Sequence, residues 1–424
     1  MRHVKFLILG GGLSGASFVY FLKHQDYFIV EKEKELGGYC KTNKRNGFVW
    51  DYAGHFFHFK NDGIRRMYLQ SSEEQEPIQK NTKIYLNGKF IDYPFQTHIY
   101  QLSKDQLIDC IYGLFDNDIC EDDCSFLEML YSKYGSGITE LFLRPYNEKL
   151  YSCDLNSLDK EAMGRFFPKA DKIEIIKSLK NNAAKSYNDY FYYPSGGAQI
   201  FFNHFAASVD PNKVLFNSYP KSLDLKNKEC VLNDGQVISY DYLISSIPLN
   251  SFLNVISNSI VHPNELTSNK VLCFNIGLNK NFDSYSSFTG IHWVYFPDKS
   301  LSFYRIGFYN NISKTDKISM YIEIGFDQKT NIDIKAQYKK TIRDLIKIGI
   351  LNNENEIMCY ESIVMDPAYV HINKALDKKI VSLMSSLKND NVFLLGRYGR
   401  WTYCSMEDCI EMSRKLAIEM EENK

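Results

Sequence analysis

Gly10-Gly11-Gly12-Leu13-Ser14-Gly15 follows a short apolar run, Phe6 to Leu9, and fixes how the rest of the chain is read. The run predicts a buried parallel strand, and Ala16 to Leu22 predicts the helix after it. A second apolar run, Tyr27 to Val30, ends at Glu31. Strand, glycine turn, helix, strand and acid in this order form the dinucleotide-binding fingerprint. Gly10, Gly12 and Gly15 let backbone approach a pyrophosphate, and the helix N-terminus offers N–H groups and partial positive charge. Glu31 is placed to accept hydrogen bonds from an adenosine ribose.

Two further stretches bear on the type of dinucleotide. Gly37-Gly38-Tyr39-Cys40-Lys41-Thr42 adds a second glycine pair just past Glu31. It resembles the extended motif of FAD-binding flavoproteins, which makes Gly38 and Thr42 cofactor-binding candidates. Trp50-Asp51-Tyr52-Ala53-Gly54-His55-Phe56-Phe57-His58 resembles an Asp-x-Gly-Gly element of the amine-oxidase superfamily that faces the flavin, with Ala53 in place of the first glycine. Gly54 and His55 are then expected beside the cofactor.

The 424 residues are 44% hydrophobic and 24% charged, a globular composition long enough for two or three domains. A formal net charge of −1 gives no reason to expect nucleic acid or an anionic membrane as partner. No apolar run reaches the roughly 18 residues of a membrane span. Ten cysteines are scattered without metal-ligand spacing, so no metal is expected and the thiols read as reduced, in a cytoplasmic protein. The 30 tyrosines and 29 phenylalanines suit stacking on sugars and bases.

The fold class expected is mixed α/β. Segments 1–80, 190–265 and 385–424 are assigned to a discontinuous Rossmann-like FAD-binding domain. Helical periodicity over 100–185 gives an inserted helical domain, and 81–99 with 266–384 an antiparallel sheet domain. Within these, Lys83 to Ile91 predicts a hairpin turning at Asn87-Gly88, Val392 to Arg397 a strand, and Glu407 to Glu421 a terminal helix.

Five more segments occur in order: Tyr93-Pro94-Phe95-Gln96, Gly137 to Lys149, Trp293-Val294-Tyr295-Phe296-Pro297, Phe303-Tyr304-Arg305, and Gly396 to Tyr403. With them the chain resembles the flavin-dependent UDP-galactopyranose mutases over nearly its whole length. The resemblance implies that Arg305, with Arg165 on a mobile loop, clamps a substrate diphosphate; two guanidinium groups suit that task. It implies that Tyr295 and Tyr403 bond the phosphates. Tyr93, Gln96, Tyr146, Asn147 and Tyr151 would form the base pocket, and Trp293 would lie beside the sugar. His55 would respond to the flavin's redox state, and Arg397, Met406 and Asp408 would hold the flavin. Two positions depart from the family: Tyr151 stands where many members have Trp, and Ser405 where an acidic residue or a longer polar stretch is common.

The activity implied is isomerisation of a nucleotide sugar between pyranose and furanose forms, UDP-galactopyranose and UDP-galactofuranose first, for polysaccharide biosynthesis. Reduced FAD would act as nucleophile through a flavin N5–sugar adduct, with NADPH or another reductant charging the flavin. The alternatives are a mutase for UDP-N-acetylgalactosamine or dTDP-fucose, an amine-oxidase-type flavin oxidoreductase, and a noncatalytic nucleotide-sugar binder. Self-association stays open.

Overall fold

A computed structural model of the protein describes residues 2–73, 76–116, 123–164, 167, 170–180, 189–279, 288–313 and 315–422. Its first sheet has seven strands. Arg2–Leu9 lies between Tyr27–Val30 and Val237–Ser245, parallel to both, and Val214–Leu215 extends the parallel set. The far side of Val237–Ser245 is shared. Glu229–Leu232 pairs antiparallel with its first half, and Val392–Leu394 pairs parallel with its last residues. Alternation along the first strand explains why the run from Phe6 to Leu9 is apolar throughout. Phe6 and Ile8 enter a core with Phe18, Phe205 and Ile410, while Leu7 and Leu9 enter another with Leu243, Phe252 and Leu383.

The helix Leu13–Phe21 and the C-terminal helix Met406–Glu422 cover one face, tied by a hydrogen bond from Ser413 Oγ to the Ser14 carbonyl at 3.0 Å. The chain's last helix therefore returns to its first, and the nucleotide-binding fold is assembled from pieces far apart in sequence.

The second sheet runs Ile357–Met365, Asn269–Leu278, Ser319–Asp327, Arg305–Phe308, Trp293–Tyr295, Thr82–Leu86, Lys89–Asp92. It is not wholly antiparallel as expected: Trp293–Tyr295 pairs parallel with Thr82–Leu86. The hairpin turns at Asn87 and Gly88 with φ of 51° and 79°, the positive pair that a type I′ turn needs.

The helices Lys104–Phe115 and Phe126–Ile138 each begin with a capping box, Ser103 with Gln106 and Ser125 with Glu128. A π turn, Thr139–Leu143, leads directly into Arg144–Tyr151.

Three expectations need correction. The strand expected through Arg397 stops at Leu394, because Gly396 takes φ 76° and opens a short helix, Gly396–Gly399. The boundary between 384 and 385 falls inside the helix Lys374–Asn389, whose Ile380, Leu383 and Leu387 pack in the core of the nucleotide-binding fold. Cys124 is disulfide-bonded, although eight other cysteines among the described residues are free. No helix among the described residues is long and apolar enough to cross a membrane.

Candidate active site

A cavity of about 1480 Å³ opens between the two sheets. Small-molecule pockets usually hold about 300–1,000 Å³, so this one has room for more than a single ligand.

One end is built by the glycine turn. Gly10 has φ +97°, and a Cβ there would lie 2.5 Å from Ser246 Oγ. A Cβ on Gly15 would lie 2.1 Å from the Gly10 carbonyl oxygen, so Gly15 closes the turn against the helix without lining the cavity. Gly12 does line it, as N-cap of a helix with no side-chain cap and no acid in its first turn. The N-terminal amides therefore face an open space that favours an anion. Glu31 is buried in the same wall. Its carboxylate accepts from Gly11 N–H at 2.6 Å and Glu33 N–H at 2.8 Å, which fixes its position.

Gly38, Gly54, Arg397 and Met406 also line the cavity. Besides Gly15, two expected cofactor residues do not. Thr42 Oγ1 donates to Asp51 Oδ1 at 2.5 Å and accepts from Gln199 N–H, so it braces Asp51. Asp408 accepts from the Ser405 N–H and hydroxyl at 2.8 Å each, a capping box that starts the last helix.

Asp51 is fully buried and also accepts from the Tyr193 hydroxyl at 2.8 Å and the Ala198 N–H at 3.1 Å. Burial raises its pKa, against nearby His55 and these donors. His55 lines the cavity and donates from Nδ1 to the Ala53 carbonyl at 3.2 Å. Burial lowers its pKa, against the Asp51 charge, so the ring is held neutral with Nε2 as acceptor.

The other end belongs to Arg305 and tyrosines. Arg305 and Glu323 are register partners on adjacent antiparallel strands. Arg305 donates from Nε at 2.6 Å and from Nη2 at 2.8 Å to the two oxygens of the buried Glu323 carboxylate, leaving Nη1 for a ligand. Burial works against the Arg305 charge, but Glu323 together with Tyr369, Tyr321 and Tyr146 outweighs it and the pKa is raised. Tyr93, Tyr146 and Tyr295 line the same region, with Tyr295 ring centroids 4.9 Å from Tyr93 and 5.2 Å from Tyr146. Asn147, Trp293 and Tyr403 are also in the lining. Burial pushes the Tyr403 hydroxyl up to about 12, so it stays a donor.

Two expected base-pocket residues lie outside the lining. Gln96 is fully buried against Tyr134, and Tyr151 packs on Phe126 and Tyr369. Arg165 lies outside the described residues. Residues that sequence reasoning missed include Glu323, Tyr369 and Lys80, all in the cavity wall. Lys80 Nζ is 5.3 Å from the centre of the Tyr93 ring, and burial lowers its pKa to about 8. No motif marks these three; only the pairing of distant strands and loops brings them here.

The residues present fit an FAD. The uncapped helix and the glycine turn suit a pyrophosphate, and the Nε of Arg397 is buried without a hydrogen-bond partner. Further along, Asn147 Oδ1 and the Tyr304 hydroxyl are buried and unpaired. Such groups are costly unless a ligand or water satisfies them.

The profile of an NAD(P)-binding Rossmann-like domain matches residues 8–70. A reduced UDP-galactopyranose mutase superposes with a TM-score of 0.90 at 20% identity, over 100% of this chain and 95% of that one. The fold is that of UDP-galactopyranose mutase. A protein from Exiguobacterium described as a protoporphyrinogen oxidase follows at TM-score 0.78 and 13% identity, covering 100% and 99% of the two chains. A putrescine oxidase double mutant matches at 0.65 and 10%, covering 99% of each. The fold is thus shared with proteins described as oxidases, and the cavity's own residues must separate the two chemistries.

Proposed function

We propose that the chain is a reduced-FAD-dependent isomerase that interconverts the pyranose and furanose forms of a nucleotide sugar, with UDP-galactopyranose and UDP-galactofuranose as the pair. The observation that carries this reading is the composite cavity: a dinucleotide cradle at one end, and Arg305 held by Glu323 among tyrosine hydroxyls at the other. An amine substrate gives that cation nothing to bind. A diphosphate gives it a bidentate partner.

Gly10, Gly12, Glu31, Gly38 and Arg397 would hold the FAD, whose reduced form supplies the nucleophile when bound. Arg305 binds the diphosphate and neutralises charge that grows as it leaves the sugar, with Tyr295 and Tyr403 as neutral donors. Tyr93 and Tyr146 offer faces for a base, and Asn147 an amide to read its edge. His55 stays neutral in the wall and accepts through Nε2 without carrying a charge toward the cavity. Arg165 is proposed as the second arm of the clamp, and NADPH or another reductant as the electron source.

Calorimetric titration with UDP tests the assignment. The protein is expected to bind UDP, Arg305→Ala to lose at least about tenfold in affinity, a loss of ~1.4 kcal/mol, and Tyr93→Ala to weaken binding while retaining FAD. Unchanged affinity in Arg305→Ala overturns the clamp. A second reading, an amine-oxidase-type oxidoreductase, is favoured by the oxidases among the neighbours. It requires no UDP binding and flavin reduction by an amine.

A further inference from the structure

Cys404 and Cys409 take no part in the reaction proposed above. Cys404 lies in the segment just before the C-terminal helix, and Cys409 lies just inside that helix, Met406–Glu422. Both are 8% exposed and both line the cavity. Their sulfurs are 3.6 Å apart, thiol hydrogen-bonded to thiol. A disulfide bond is about 2.05 Å long, so side-chain rotation has about 1.5 Å to close. The third thiol in this wall, Cys40, points its sulfur at Met406 Sδ, 3.7 Å away, and burial raises its pKa to about 12. Cys110, Cys230 and Cys273 are buried outside the cavity.

We propose that Cys404 and Cys409 form a redox-active thiol pair in the wall of the cavity, oxidised to an intramolecular disulfide by low-molecular-weight disulfides of the glutathione class. The two cysteines have different parts. Either sulfur can donate in the thiol–thiol hydrogen bond, but Cys409 sits in the first turn of the helix Met406–Glu422, whose N-terminus favours a thiolate. The Cys404 hydrogen bond lowers its pKa; burial opposes this, and the Arg397 backbone N–H, the Ser14 hydroxyl and the Arg397 charge add to the lowering. The same hydrogen bond and burial raise Cys404. Cys409 is therefore the attacking thiolate and Cys404 the resolving thiol. Cys409 sulfur attacks one sulfur of the small disulfide, whose other half leaves as a thiolate. Cys404, losing its proton to solvent, then attacks Cys409 sulfur and expels the second thiolate. Two protein thiols become one disulfide, and one small disulfide becomes two thiols. The bond pins the Thr402–Ser405 segment, which carries Tyr403, to the first turn of the helix, so the redox state of the pair acts on a wall of the site.

The test uses the protein as purified, treated with oxidised glutathione, quenched with an alkylating agent under denaturing conditions, and mapped by peptide mass. The expected product links Cys404 to Cys409 with loss of two hydrogens, at least about tenfold faster than modification of Cys110, Cys230 or Cys273, since thiolate character and access set the rate. Cys404→Ser is expected to stall as a glutathione mixed disulfide on Cys409, and Cys409→Ser to leave Cys404 unmodified. Recovery of both cysteines as free thiols after oxidation, or a mixed disulfide trapped on Cys404 in Cys409→Ser, overturns the proposal.

Discussion

Arg305 and Glu323 set the character of the site at the scale of single residues. A bidentate pair this buried is rigid, and removing one partner leaves an uncompensated charge. Glu323→Ala is therefore expected to cost about 3–5 kcal/mol of stability, read by urea unfolding. Glu323→Gln, which keeps the shape and an acceptor, is expected to fold while loosening Arg305 and weakening UDP binding. A loss below ~1 kcal/mol for Glu323→Ala, the range of an exposed pair, contradicts this reading. Arg305 could be singled out from Phe303-Tyr304-Arg305, because a short motif is visible in sequence. Glu323 could not, because it is defined by a cross-strand register between segments that say nothing of each other locally. Thr42 and Asp408 show the converse. Their motif positions suited a cofactor, but their side chains were claimed by nearer partners, Asp51 and Ser405.

Local elements were the most legible part of the chain. The glycine turn, the Asn87-Gly88 hairpin and the amphipathic helices all depend on residues within a few positions of one another. The parallel pairing of Trp293–Tyr295 with Thr82–Leu86 did not, since about two hundred residues of chain separate the two strands. One element carries strain that the sequence already hinted at. Ala53 occupies the place of a glycine in the motif before His55, and its φ is +96°. A non-glycine residue in that region costs about 1–3 kcal/mol. Ala53→Gly is expected to stabilise the protein by about 1 kcal/mol after the entropy of the unfolded glycine is subtracted, and Ala53→Val to destabilise it, in thermal unfolding. Equal midpoints for both variants would remove strain from the account. Gly12→Val should leave the fold intact, since a Cβ there meets nothing closer than Gly38 Cα at 3.7 Å, yet intrude on the cradle. The expected result is folded protein without bound flavin, checked by absorbance.

Across the whole molecule, buried and partly buried histidines link stability to pH. His55, His204, His292 and His371 all have pKa values lowered by burial, that of His292 to about 4. His292 Nδ1 accepts the Asn81 N–H at 3.0 Å, a bond that protonation at Nδ1 would break. The unfolded chain takes up protons on these rings near pH ~6.5, before the folded chain does. Stability is therefore full above that value and falls as pH drops, for His292 between ~6.5 and about 4. His292 alone accounts for roughly 3 kcal/mol at the acid end. Asp51, with its raised pKa, runs the other way and favours the acid side. Urea midpoints at neutral and mildly acidic pH are expected to fall with acid, and His292→Gln to flatten the fall; an unchanged slope would contradict it. The cavity is lined by segments far apart in sequence, which is why composition and motifs foretold the fold class but not the site's full lining. The central claim, that the cavity joins a flavin to a nucleotide sugar and isomerises it, meets its most direct test in product analysis of dithionite-reduced protein with UDP-galactofuranose beside an oxidised control. UDP-galactopyranose is expected in the reduced sample alone. Its absence from a reduced, FAD-loaded and UDP-binding sample, or its appearance in both samples, would contradict the claim.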